Sequence, residues 1–565
     1  MAWRTLSTVG SAVAAFVVAV GITCWLHWPQ PLALDRYQSL SAFHDGHVWC
    51  FDYIARMVTG EVSWDHTTRE IGHPERVELR FITWLPAVLA MPLRPLLGPL
   101  GAYTAIVLAS PGLVALAAWW LVRRLTHAGP WAAAGASLPF ALCPYMLGAM
   151  ASGQTAKMQL WIVPLYLLAL MGLLRGGRGW RWRAGAAVAL ALVTVVASFT
   201  SPTTTLQIPL VAGAWIVGEV LRGGKRFWAV GLVGVLALGI TASSLLPARS
   251  YFASLRGSRL VQAFEPGVPP SPGVIPSPAP MAMPEQILDG EIDFDNNPRI
   301  TSHVTYLGWP LLGVCLLLTV RRFEGRWFAW GGVALGVVIA LGPKLAADGA
   351  YVTNDDGYTY ALPARILELT HYPMSESGMY YRAISLSSLG LAVLIGGACG
   401  SFRRPWGALL AWILGLGAVA DAHRVVSPIY PRPSRELPGL ALYEKMAADP
   451  VPGGVISLPL ETDVQGGEVH IQAVAFHRRS TQALPRQNRA AQLPFLGQLQ
   501  GTLRAALQLD DPPAGRAALA DAGYRYVIWH DEAQNDSWPL STFERGLGPP
   551  EELGGVRYWV LETSK

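Results

Sequence analysis

Between Trp28 and Arg80 the chain gathers Asp35, Asp45, Asp52, Asp65 and Glu70 with four histidines, His44, His47, His66 and His73. The rest of its first half is nearly free of acids. The centre of this stretch is Phe43-His44-Asp45-Gly46-His47-Val48-Trp49. A carboxylate held at a membrane face can act as general base toward an acceptor hydroxyl within hydrogen-bond reach, and Asp45 is the first candidate for that work. Asp is equally a favoured helix N-cap, so Asp45 also reads as the cap of a helix over 45–58, and one residue can serve both ends. His44, His47, Trp49 and Glu70 are the neighbours expected to line a substrate pocket around it. The histidines with Asp45 or Asp65 suggest a divalent cation, but their spacing matches no established metal motif and nothing here requires a cofactor. Histidines at an interface also hydrogen-bond backbone and headgroups. Asp52 and Arg56 read as an exposed i,i+4 pair.

Two further cations stand apart. Lys157 and Arg382 fall at the outer ends of apolar segments, where an ammonium and a guanidinium suit a lipid phosphate. Snorkelling to the interface explains them equally well. Asp289–Asn297 (DGEIDFDNN) lacks the ligand order and closing Glu of a calcium-binding EF-hand loop. His470, His477, Arg478 and Arg479 cluster late in the chain without a matching nucleophile or acid. No P-loop, dinucleotide fingerprint or nucleophile elbow occurs, so no nucleotide motif supplies energy.

The elements that must position these residues are set by a membrane. Of 565 residues 52% are hydrophobic and 14% charged, against roughly 25% charged in a soluble domain. A crossing needs ~20 apolar residues. By that measure eleven spans are expected, at 8–27, 101–122, 129–149, 159–175, 181–199, 205–221, 227–247, 304–320, 327–342, 381–400 and 405–421. Arg123-Arg124, the arginines at 175–183, Arg222/Lys225/Arg226, Arg321/Arg322/Arg326 and Arg403-Arg404 fall in every second loop, which the positive-inside rule places in the cytoplasm. The amino end is then cytoplasmic, and loops 28–100, 248–303 and 343–380 lie outside with the carboxyl tail. The net charge of +5 is spread over these clusters, a topology signal and not a nucleic-acid footprint. Residues 81–98 look apolar, yet Pro86, Pro92, Pro95 and Arg94 argue for an interfacial or re-entrant helix. The expected domains are a transmembrane domain over 1–428 and a soluble periplasmic α/β domain over 429–565. In the latter, 453–460, 524–530 and 556–562 read as strands, and 435–448, 490–508 and 513–522 as helices.

A first span, an acidic outer loop with membrane-lying helices, many further spans and an outer carboxyl domain together resemble the GT-C superfamily of integral-membrane glycosyltransferases. The residues that carry the likeness are His44-Asp45-Gly46 with Trp49, SWDHTTREIGHP (63–74), Pro144-Tyr145, TYLGWPLL (305–312), Tyr381-Arg382 and, in the tail, LPGLALYEKMAAD, GGVISLPL and GYRYVIWH. The resemblance implies a bacterial inner-membrane enzyme that moves a sugar, with inversion, from a polyprenyl-phosphate carrier to a glycan, lipid or protein acceptor of the envelope. Asp45 would be its base, and Lys157 and Arg382 would hold the lipid phosphate. Characterised members carry paired acids where this loop has isolated ones, which keeps a non-catalytic scaffold or glycolipid-binding relative as an alternative. A transporter or flippase is a second alternative, disfavoured because the spans hold almost no ionisable residues for coupling ions.

Overall fold

The computed structural model describes residues 2–39, 42–63, 67–68, 70–71, 77–78, 84–174, 180–200, 208, 210–213, 215, 305–318, 323–347, 350–352, 359–365, 380–403, 405–430, 434–436, 439–458, 473–481, 492–509, 511–530 and 539–562. The outer loop 248–303, with its DGEIDFDNN stretch, lies outside them, as do Asp65, His66, His73 and His470.

In chain order the helices are α1 (Ala2–Leu26), α2 (Ala42–Thr59), α3 (Trp84–Ala90), α4 (Arg94–Thr126), α5 (Pro130–Ala141), α6 (Pro144–Ala151), α7 (Thr155–Met158), α8 (Ile162–Leu174), α9 (Trp180–Thr200), α10 (Trp309–Leu318), α11 (Arg326–Ala340), α12 (Ile384–Gly400), α13 (Trp406–Val426), α14 (Leu440–Ala448), α15 (Gln492–Leu507), α16 (Pro512–Asp521) and α17 (Leu540–Leu547). The strands are β1 (Tyr37–Ser39), β2 (Thr67–Thr68), β3 (Val77–Glu78), β4 (Ala346–Ala347), β5 (Ala350–Tyr351), β6 (Ser434–Glu436), β7 (Gly454–Leu458), β8 (Tyr524–Trp529), β9 (Glu551–Leu553) and β10 (Val556–Val560). They pack into two compact units, Met1–Trp28 with Val107–Arg432, and Pro29–Ile106 with Pro433–Lys565.

The first unit is a helical bundle. Among the described residues six helices are long and apolar enough to cross a membrane, or seven when α5 and α6, bent by 52°, count as one span. This is a multi-pass membrane protein. The expected spans 304–320 and 327–342 appear as α10 and α11, of 10 and 15 residues. Those at 205–221 and 227–247 lie almost wholly outside the described residues. The α5–α6 bend falls at Leu142-Cys143, where Pro144 cannot continue the ladder and pushes its predecessor out of helical geometry. At the core α12 is buried from Ile384 to Cys399. Close approach there relies on small residues. A Cβ on Gly135 would stand 2.6 Å from the Trp412 backbone nitrogen, and one on Gly415 2.1 Å from the Gly135 carbonyl oxygen.

The second unit has a four-stranded sheet in the order β7-β8-β10-β9, parallel between β7 and β8 and antiparallel elsewhere. Alternation divides its side chains between two cores. Ile456, Leu458, Val527, Trp529 and Trp559 pack with Leu503, Leu519, Phe543 and Leu547 of α15–α17, while Val455, Tyr526, Ile528 and Tyr558 pack with Leu442, Tyr443 and Met446 of α14. The stretch that follows α1 is built into this unit. β1 pairs antiparallel with β6, and Thr481 bridges in parallel to both Val455 and Ile71. Trp49, Tyr53 and Met57, one stripe of α2, form a third core with Ile71 and Val474.

Residues 84–98 form α3, a turn at Met91–Leu93 around Pro92, and the start of α4. Inside α4 Gly98 has φ 68° and ψ −178°, a backbone state open chiefly to glycine. The apolar run Trp84–Thr126 spans 43 residues, about twice a bilayer crossing, and it is broken at that glycine.

Candidate functional site

The helix expected over 45–58 is α2, beginning at Ala42. Asp45 therefore stands inside its first turn and not at the cap, a place where a carboxylate is favoured by the helix dipole. His44 shares that turn, and His47 is half-buried one turn further on. Beyond them the helix divides into the apolar stripe of Trp49, Tyr53 and Met57 and a charged side carrying Asp52 and Arg56.

That charged side corrects the sequence expectation of an exposed pair. The Asp52 side chain is 0% exposed and Arg56 only 7%. Arg56 Nε donates to Asp52 Oδ2 at 2.9 Å, and Arg94 Nη2 lies 2.8 Å from Oδ1. Arg478 donates to the same carboxylate through Nη1 to Oδ2 and through Nη2 to Oδ1 at 3.2 Å. A buried carboxylate is expensive unless its lone pairs are filled, and three guanidiniums fill these. The spacing of four reveals the contact but not the burial, because Arg94 and Arg478 close over it from distant parts of the chain.

Glu70 is drawn into the same network. Arg56 grips it in bidentate fashion, Nη1 to Oε1 at 2.6 Å and Nη2 to Oε2 at 2.7 Å. The Trp49 indole N–H donates to Oε2 at 3.2 Å, and the Glu70 carbonyl accepts from the Thr481 N–H at 2.8 Å. Burial lowers the Arg56 pKa, but the hydrogen bonds and charge of Glu70, with Asp52, outweigh it and hold the guanidinium firmly protonated. Trp49 and Glu70, expected to line a substrate pocket, are thus joined to each other, with both Glu70 oxygens committed. No cluster of His, Cys, Asp or Glu gathers among the described residues in the manner of a metal site, and Glu70 does not fit a ligand role.

The strand-linked carboxyl segment holds the arginines in place. Arg478 has φ 60°, left-handed backbone that costs a non-glycine residue on the order of 1 kcal/mol. Its neighbours pin it. Arg479 is buried and donates to the carbonyls of Met446, Asp449 and Val451 at 3.0, 2.7 and 2.6 Å. The Arg479 N–H donates to His477 Nδ1 at 3.0 Å, and His477 Nε2 is buried without a partner. Burial, with Arg479 and Arg478 adding like charge, lowers the His477 pKa to about 3.

In the first unit Lys157 and Arg382 meet on one phenol. Lys157 Nζ donates to Tyr381 Oη at 2.7 Å and lies 5.2 Å from the ring centre, while Arg382 Nε donates to the same oxygen at 3.3 Å. Lys157 and Tyr381 are buried and Arg382 half-buried. The Tyr145 ring, 6.4 Å from that of Tyr381, is buried beside them. Short α7 carries Lys157 just after the broken α5–α6 pair, and the turn Tyr380–Ala383 presents Tyr381 and Arg382 at the start of α12.

A second polar group in this unit escaped the sequence reading. Tyr306 donates to Asp421 Oδ2 at 2.8 Å and accepts from Arg424 Nη2 at 3.2 Å. Gly308, at φ 86°, makes room, since a Cβ there would stand 2.5 Å from Asp421 Oδ2. The group edges a small cleft lined by Cys143, Pro144, Leu307, Ser388 and Leu391. Its signal in the sequence is Asp421-Ala422-His423-Arg424, a charged end on an otherwise apolar span.

No protein-family model matches the chain, and no curated protein aligns with it. Among solved structures it is similar to the oligosaccharyltransferase of Archaeoglobus fulgidus in complex with Zn and sulfate (11% identity, 94% of this chain and 70% of that one, TM-score 0.45). It is also similar to ArnT of Cupriavidus metallidurans bound to undecaprenyl phosphate (13%, 94% and 93%, TM-score 0.45). A third likeness is to the mycobacterial arabinofuranosyltransferase AftD (13%, 94% and 36%, TM-score 0.46).

Proposed function

We propose that the chain is a GT-C-type glycosyltransferase of the bacterial inner membrane, moving a sugar from a polyprenyl-phosphate carrier to an envelope acceptor on the outer face. The observation that carries this reading is the meeting of Lys157 and Arg382 on Tyr381. Two cations that far apart in sequence, gathered on one phenol among apolar helices, suit a lipid phosphate that leaves with negative charge. The acceptor hydroxyl attacks the anomeric carbon from the face opposite the phosphate, which inverts that centre. Asp45 takes the hydroxyl proton as the new bond forms, and the bond to the phosphate oxygen breaks with its electrons staying on the lipid phosphate. Both oxygens of Glu70 are held by Arg56, which leaves Glu70 out of the proton transfer.

The second reading is a non-catalytic scaffold or glycolipid-binding protein. It is favoured by Asp52 and Glu70, whose carboxylates are neutralised by arginine.

Both readings are tested by comparing wild type with Asp45→Asn in membranes supplied with radiolabelled polyprenyl-phosphate sugars and an envelope extract. Loss of general-base help lowers transfer by roughly 10²–10⁴. Undiminished transfer in the variant removes Asp45 from the mechanism. Absence of transfer by wild type across the common sugars selects the scaffold.

A further inference from the structure

We infer that Arg94 and Arg478, mounted on the buried carboxylate of Asp52, form a binding site for a phosphate group. This inference stands apart from the glycosyltransferase reading, since it concerns neither Asp45 nor the Lys157–Arg382 pair.

Among the described residues the network holds three guanidiniums, Arg56, Arg94 and Arg478, against two carboxylates, Asp52 and Glu70. One positive charge is therefore left over. The leftover charge is on the accessible side. Arg56, turned to both acids, is 7% exposed, while Arg94 and Arg478 are 21% and 38% exposed. Arg94 commits a single nitrogen to Asp52, and Arg478 leaves its Nε uncommitted. Among the described residues neither has another polar partner, so most of their N–H groups remain for an external acceptor.

These guanidiniums are also held in advance of any ligand. Both lie against the same oxygen, Asp52 Oδ1, Arg94 as an ion pair at 2.8 Å and Arg478 as a donor at 3.2 Å, which keeps their terminal nitrogens close enough to share one tetrahedral anion. Arg478 is kept in left-handed backbone by the Arg479 clamp on its C-terminal side, a local strain of the kind that accumulates where a side chain must be aimed. Side chains already ordered lose little further entropy on binding. A phosphate with several acceptor oxygens matches two planar forks better than it matches a point cation. Asp52 is then the seat of an anion site and takes no part as an acid.

The chemistry is shared by a phospholipid head group and by a soluble phosphate. The test uses the full chain in phospholipid-free maltoside micelles and in nanodiscs. Inorganic phosphate is titrated calorimetrically into the protein in the micelles, and then in nanodiscs with about one third phosphatidylglycerol. Saturable binding in the first and its suppression in the second assigns the site to a lipid head group. Equal binding in both assigns it to a soluble phosphate, and either result supports the inference. Arg94→Gln and Arg478→Asn are each expected to weaken binding about tenfold, and raised salt to weaken it further. Asn is chosen at 478 because it tolerates left-handed backbone. Arg94→Lys and Arg478→Lys, which keep the charge, are expected to retain most of the affinity, separating loss of the site from loss of the fold. Phosphate binding unaffected by both neutral variants, or no binding by wild type in the phospholipid-free micelles, overturns the inference.

Discussion

Arg478 and Asp52 lie 426 positions apart and are joined through both terminal guanidinium nitrogens and both carboxylate oxygens. Their pairing makes the charged side of α2 an internal feature of the unit that also holds the carboxyl-terminal sheet. Asp52→Ala would leave three guanidiniums facing one another around an empty seat. Removing one member of a buried ion pair costs roughly 3–5 kcal/mol. The expected outcome is a lower melting temperature and faster amide hydrogen exchange across 42–59. Exchange equal to wild type would show that Asp52 is dispensable for holding the helix.

Lys157→Gln and Arg382→Gln are each expected to weaken binding of polyprenyl phosphate about tenfold, because each removes a charge-assisted hydrogen bond to phosphate. Tyr381→Phe keeps the ring and loses the shared oxygen, and should have a smaller effect. Equilibrium binding of a fluorescent polyprenyl phosphate to the protein in micelles measures all three. Unchanged affinity in both charge variants would assign the pair to structure alone.

His477 makes the second unit sensitive to acid. Its folded pKa, about 3, lies below the ordinary value of 6.5, so the unfolded chain binds the extra proton between those limits. Its contribution is complete above pH 6.5 and is lost as pH falls toward 3, with a slope of at most ~1.4 kcal/mol per pH unit. Melting temperatures of wild type and His477→Gln over that range should converge as pH falls. Parallel curves would contradict the assignment.

Gly415→Ala is expected to separate α5 from α13, since the added methyl has nowhere to go beside the Gly135 carbonyl. Overpacking of this kind costs typically about 1–3 kcal/mol. Gly417→Ala, two positions on, meets nothing within 4 Å and serves as the control. The two variants are compared by thermal unfolding in micelles, where equal stability would refute the close approach.

Much of the local structure was legible because it follows from short-range pattern. The strand expected at 524–530 is β8, that at 556–562 is β10, and the helix expected at 513–522 is α16. Pro92, Pro95 and Arg94 marked the interruption in the apolar run at 81–98, and Gly98 supplies the break. The candidate residues were harder to read, because their partners are set by tertiary contact. Nothing in Asp52-Tyr53-Ile54-Ala55-Arg56 announces that Arg94 and Arg478 will bury it. Glu70 looked available as a lone acid, and its bidentate grip by Arg56 is invisible to spacing. The Tyr306–Asp421 bond joins residues whose sequence neighbourhoods share no pattern at all.

The pairing of β1 with β6 bears on the order of synthesis. Residues 29–106 leave the ribosome well before 433–565, with which they pack. The stripe of Trp49, Tyr53 and Met57 therefore waits for Val474 while the intervening spans are threaded into the bilayer. Contacts of such long sequence separation form late and leave apolar surface uncovered in the meantime. A nascent chain arrested at residue 432 would carry every span the structure describes and yet present α2 without the core that holds it. Quality control that reads exposed α2 would be sensing whether residues 433–565 had yet been made.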